Sequence, residues 1–131
     1  MPQDRPPPGS AGEWLRRARS NLVLARMELP EDGLYEDLCF HAQQAAEKSL
    51  KAIYQHHGWT FRYVHDLEEL LTGLSGHGVE IPDGIERCLD LTSYASEARY
   101  PGLYEPVTSA EHSQAVQIAE QVLQWAESHL G

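Results

Sequence analysis

Residues 40–58, FHAQQAAEKSLKAIYQHHG, restrict the fold more than any other stretch of the chain. Ala42, Ala45, Ala46, Ser49 and Ala52 carry little side-chain bulk, and small residues at helical spacing let a neighbouring helix approach closely. The period extends back to Leu34, with Tyr35, Leu38, Cys39, Ala42, Ala46, Ser49, Ile53 and His57 on one face. The expectation is a helix from residue 34 to about 57, central in a bundle and stopped by Gly58. His41, Gln43, Gln44, Glu47, Lys48 and Lys51 are more polar groups than a core helix requires. They form either a solvated face or the lining of a site.

The rest of the chain reads as helix too. Ser10 and Glu13 stand in capping-box spacing before an apolar stripe of Trp14, Leu15, Ala18, Leu22, Ala25 and Leu29, so a first helix is expected to run up to Pro30. Asp66 and Glu69 repeat the capping spacing before a short helix that ends in the glycines 73, 76 and 78. A further helix is predicted over residues 83–100, with Ile85, Cys88, Leu89, Thr92 and Ala95 inward and Pro101-Gly102 as its stop. Thr108 and Glu111 open the last one, which turns Ala115, Ile118, Ala119, Val122, Trp125, Ala126 and Leu130 inward. No segment alternates as a strand would. The fold class is therefore all-α, a four-helix up-and-down bundle with one additional short helix. Residues 1–10, with three consecutive prolines, read as a disordered tail, and residues 11–131 as the helical domain.

A chain of 131 residues with 41% hydrophobic content can bury a single core. It has no apolar run long enough to span a membrane and no apolar leader, which implies a cytoplasmic protein. Cys39 and Cys88 fall on apolar stripes and read as core thiols. The formal net charge of −10 is unevenly distributed: residues 1–62 hold eight acids and eight bases, whereas residues 63–131 hold twelve acids and only Arg87 and Arg99. An acidic half argues against a long DNA groove, since duplex affinity grows with the number of cationic phosphate contacts. A nucleotide, a short RNA segment or a basic protein partner is compatible with it.

Seven histidines invite a metal, but the Glu-x-x-His spacing of di-iron bundles and the His-Glu-x-x-His of zinc proteases are absent. A nucleophile elbow, a Walker loop and a dinucleotide-binding glycine pattern are absent too. No metal and no cofactor is expected. Two features remain as site candidates. His41, Gln44, Lys48 and Gln55 form a flank stripe that suits either a phosphate with a base edge or plain solvation. Arg99 continues the inward line of Ile85, Cys88, Thr92 and Ala95, so its guanidinium needs an anion, either a neighbouring acid or a bound phosphate.

YEDLCFHAQQAAEKSLKAIYQHHG, followed by HDLEELL and then YASEARYPG, resembles the HEPN domain, the helical nucleotide-binding domain of higher eukaryotes and prokaryotes. The resemblance spans roughly residues 13–130. It implies a helical bundle that usually dimerises, often beside a minimal nucleotidyltransferase in a toxin–antitoxin-like pair. Many members are metal-independent endoribonucleases with an arginine and a histidine separated by four to six residues. Arg99 is followed by YPGLYEP and lacks that histidine. The sequence reading is thus a binding module with Arg99, Lys48, His41, Gln44, Tyr100 and His65 as nucleotide-binding candidates and no catalytic set. A divergent ribonuclease and a purely structural docking module are the alternatives.

Overall fold

The computed structural model describes residues 6–95 and 106–131, which contain four α-helices, one 3-10 helix and no strand. Helix α1 (Ala11–Ala25) starts at Ser10, whose hydroxyl accepts from the Glu13 backbone N–H at 3.2 Å. The reciprocal half of that capping box does not form, because the Glu13 carboxylate pairs with Arg16 and Arg17 instead. Just before the cap, the Gly9 carbonyl accepts from Gln55 Nε2 at 2.8 Å.

The end of α1 differs from the expected stop at Pro30. The helix closes at Ala25 with Arg26 as its cap, a turn before the proline. The reason lies in the partner helix: His112 Nε2 donates to the Ala25 carbonyl at 2.6 Å, supplying from outside what a further helical turn would have supplied. Leu29 therefore lies beyond the helix, half-buried.

Helix α2 (Tyr35–His57) contacts every other element. Ala42, Ala45, Ala46, Ser49 and Ala52 are fully buried, as the small-residue pattern requires of a central helix, and Leu50 and Ile53 fill the space between the helices around it. Gly58 ends α2 at φ 73°, a left-handed position where a side chain would be strained. Helix α3 (Leu67–Gly76) is capped by Asp66, which accepts from the Glu69 N–H at 3.1 Å. Glu69 again does not reciprocate; its carboxylate makes a forked pair with Arg62, at 2.6 Å for the shortest contact.

The helix predicted over residues 83–100 is corrected in type over residues 83–95, and its last part, residues 96–100, lies outside the described residues. It is a 3-10 helix, Ile85–Tyr94, that buries Ile85, Cys88 and Leu91, and the spacing of three is the 3-10 repeat. Thr92, expected to point inward, is exposed. Burial pushes the Cys88 thiol up to about 12, so it stays protonated in the core. Helix α4 (Ser109–Leu130) carries a complete capping box between Thr108 and Glu111. Its buried line of Ala115, Ile118, Ala119, Val122 and Ala126 packs on α2, and Leu123 joins it. Ion pairs of Arg19 with Glu127 and of Arg26 with Glu120 flank the α1–α4 seam. None of the described helices is long and apolar enough to cross a membrane.

Candidate functional site

The polar residues of α2 are neither a solvated face nor one continuous lining. Because successive helical residues point about 100° apart, Glu47 and Lys48 project into different sectors. Each becomes the centre of a separate cluster.

The Lys48 cluster lies between α2 and α1. Lys48 Nζ donates to Asn21 Oδ1 at 2.8 Å, and Asn21 Nδ2 lies 3.0 Å from His41 Nδ1. Lys48 can only donate, which assigns Oδ1 of Asn21 as acceptor and Nδ2 as donor, and hence Nδ1 of His41 as a lone-pair acceptor. His41 is therefore neutral in this arrangement. Burial pushes its pKa down, the Lys48 charge pushes further, and Asp37 opposes them only in part. Lys48 is half-buried, and burial lowers its own pKa, followed by the charge of Arg17, with Glu47 acting in the opposite sense. Among the described residues its hydrogen-bond partner is a neutral amide, and it makes no ion pair. A partly desolvated ammonium whose hydrogen-bond partner among the described residues is uncharged is a place where an anion is stabilised.

The Glu47 cluster is deeper. Glu47 is 2% exposed and Lys51 5%. Lys51 Nζ donates to Glu47 Oε2 at 2.9 Å, and Gln43 Nε2 donates to Oε1 at 3.1 Å. Gln44 Nε2 in turn donates to Gln43 Oε1 at 2.7 Å. From the connector before α3, His65 Nδ1 reaches the same carboxylate at 2.9 Å. Burial alone would raise the Glu47 pKa, but hydrogen bonds from Lys51, His65 and Gln43 prevail and hold it below the ordinary carboxylate range. The Lys51 ammonium also lies 5.5 Å from the centre of the Trp14 ring and 5.3 Å from that of Phe61, a cation–π position on an aromatic wall.

The sequence candidates thus divide. His41 and Lys48 come together through Asn21. Gln44 is drawn inward onto Gln43, which corrects its placement on the open flank, and Gln55 leaves that flank for the Gly9 carbonyl. His65 joins Glu47, not Lys48. Arg99 and Tyr100 lie outside the described residues. The extrapolation that turned Arg99 inward assumed an α-helical phase, whereas the element before it is a 3-10 helix ending at Tyr94. Asn21 is a member of the Lys48 cluster that the sequence reading missed, although its position between Ala18 and Leu22 on the α1 stripe was a usable signal. Gln43, Glu47 and Lys51, four apart in turn, were likewise readable as a buried polar line.

Two other features are chemically unlike a phosphate seat. A cleft of about 330 Å³ between α3 and the 3-10 helix is floored by Leu71, Ile81 and Leu89, but Glu68 and Glu86 also line it and would repel an anion. At the ends of α2 and α4, His57 Nε2 and His129 Nε2 are 2.8 Å apart, so one ring must donate and the other accept. Among the described residues, no group of three or more His, Cys, Asp or Glu side chains is arranged to hold a metal ion.

The His129 contact has a pH consequence. Burial, and then the charges of His57 and His56, push the His129 pKa below its ordinary value, and that of His41 is also depressed. The unfolded chain then binds more protons than the folded one near and below about pH 6.5, so stability rises with pH across that window. Urea midpoints should fall on acidification from about pH 7.5 to about pH 5.5, and the slope should flatten in a His41→Asn/His129→Asn variant. An unchanged slope would mean that neither ring is held neutral by the fold.

The HEPN domain family matches residues 11–129. The chain belongs to the HEPN domain family. Among solved structures it is similar to TT1696 from Thermus thermophilus, with 32% identity and a TM-score of 0.79 over 92% of this chain and 98% of that one. It is also similar to ST0689, an archaeal HEPN homologue, with 26% identity and a TM-score of 0.74 over 93% and 98%. No curated protein matches the chain.

Proposed function

We propose that this HEPN protein is a nucleotide- or RNA-phosphate-binding module whose anion seat is the Asn21–His41–Lys48 cluster. The observation that carries the reading is Lys48, a half-buried ammonium whose hydrogen-bond partner is the uncharged Asn21. A phosphate oxygen supplies the negative charge that Lys48 does not receive from its hydrogen-bond partner among the described residues, and His41 offers its other ring nitrogen, an N–H donor in the tautomer that Asn21 imposes. Arg99 is the further cationic contact suggested by the sequence. The acidic second half of the chain limits the ligand to one or a few phosphates. The same reading makes the protein a cytoplasmic homodimer that partners a minimal nucleotidyltransferase, in a toxin–antitoxin-like pair.

The site is testable by amide chemical-shift mapping with ATP and with a short RNA oligonucleotide. Perturbations should centre on Asn21, His41 and Lys48, and Lys48→Ala should weaken binding by on the order of tenfold or more, the worth of a charge-assisted hydrogen bond. Equal affinity in a folded Lys48→Ala protein would remove this cluster from the site.

A further inference from the structure

His65 is held in a way that phosphate binding at Lys48 does not require. It stands in the connector between α2 and α3, one residue before the Asp66 cap, and its side chain is 50% exposed while the carboxylate beneath it is 2% exposed. Nδ1 lies 2.9 Å from Glu47 Oε1 and 3.1 Å from Oε2. An ionised carboxylate can only accept, and Glu47 is kept ionised by the Lys51 and Gln43 hydrogen bonds described above. The proton of the neutral ring is therefore on Nδ1, and the lone pair is on Nε2, the nitrogen turned away from Glu47.

The other histidines lack this combination. His41 uses Nδ1 as an acceptor for Asn21; His57 and His129 spend their Nε2 atoms on each other; His112 spends Nε2 on the Ala25 carbonyl. His77 lies flat against Trp59, with ring centres 3.9 Å apart, and His56 stands edge-on to His57. Neither His56 nor His77 has a carboxylate partner among the described residues. A buried carboxylate on one imidazole nitrogen fixes the tautomer and stabilises positive charge on the ring, the two properties that make the opposite nitrogen a competent nucleophile.

We propose that Nε2 of His65 is a phosphoryl-acceptor site, modified by an activated small-molecule phosphoryl donor of the phosphoramidate or acyl-phosphate class. In the step, the Nε2 lone pair forms a bond to phosphorus as the bond from phosphorus to the leaving group breaks, and that electron pair departs with the amine or carboxylate. The Nδ1 proton stays in place, hydrogen-bonded to Glu47, whose negative charge offsets the positive charge that the ring acquires. The added phosphoryl group brings between one and two negative charges to the start of α3.

The test is to incubate the folded, full-length chain with phosphoramidate and follow site-resolved phosphohistidine at all seven histidines by phosphorus NMR and mass spectrometry. His65 should fill first, at Nε2, on the order of tenfold faster than the exposed His56 and His77, and the advantage should shrink in Glu47→Asp. Reaction at His65 no faster than at those two, or mainly at its Nδ1, would overturn the proposal in the parent protein alone, whether or not the variant folds. Because Lys48 takes no part, loss of phosphate binding in Lys48→Ala leaves this outcome independent.

Discussion

Glu47→Ala is expected to cost about 3–5 kcal/mol of folding stability, the penalty for removing one member of a buried ion pair. The loss has a definite origin. Lys51, 5% exposed, keeps its charge among Trp14 and Phe61 with no anion, and the Gln43 amide and the His65 N–H lose their acceptor. A surface pair at the same i, i+4 spacing would contribute only about 0–1 kcal/mol, so the size of the effect decides whether the pair is buried in solution. Exchanging both partners for apolar side chains of similar size, Glu47→Leu with Lys51→Met, should recover the part of the loss that comes from the unpaired Lys51 charge. Urea unfolding at neutral pH measures each case. A change below about 1 kcal/mol in Glu47→Ala would return the polar residues of α2 to a solvated face.

Gly73→Ala should destabilise the protein by about 1–3 kcal/mol, although helix propensity alone predicts a gain of about 1 kcal/mol at an interior position of α3. A methyl group at position 73 would collide with the Tyr54 hydroxyl. That hydroxyl donates to the Leu70 carbonyl at 2.7 Å, and the Tyr54 ring is packed edge-on against Trp59 and Phe61, so it has little room to withdraw. Tyr54→Phe removes the colliding oxygen for the loss of one hydrogen bond, about 1 kcal/mol. Adding Gly73→Ala to that background should then cost much less than it does alone. Additive effects in the two backgrounds, read from denaturant midpoints, would contradict the contact.

The elements that were legible in the sequence are those whose ends are set locally. Ser10, Asp66 and Thr108 mark their helix starts because a short side-chain oxygen satisfies a free N–H, and Gly58 marks a stop because its backbone is left-handed. The end of α1 was not legible, since the group that satisfies the Ala25 carbonyl is His112, distant in sequence. The 3-10 segment was ambiguous for another reason. Its apolar residues fit spacings of three and four alike, and only packing selected Ile85, Cys88 and Leu91 over Thr92.

For the site, resemblance and residue type pointed to α2 and to His41, Lys48 and His65, and the fold assigned them to different clusters. Charged side chains such as Glu47 and Lys51 read as exposed unless their partners are known. Here each is the other's partner, with Gln43 and His65 completing the set. Asn21 was hidden by being a single polar residue on an apolar stripe, where it bridges two residues that the sequence separates by more than a helical turn.

The most direct measurement of the central claim is a calorimetric titration of ATP, and separately of a short RNA oligonucleotide, into the parent protein and into a folded Lys48→Ala variant. Binding by the parent that weakens on the order of tenfold or more in the variant, and weakens with added salt, is the predicted result. No heat from either ligand with the parent, or equal binding by both proteins, would contradict a phosphate seat at Lys48.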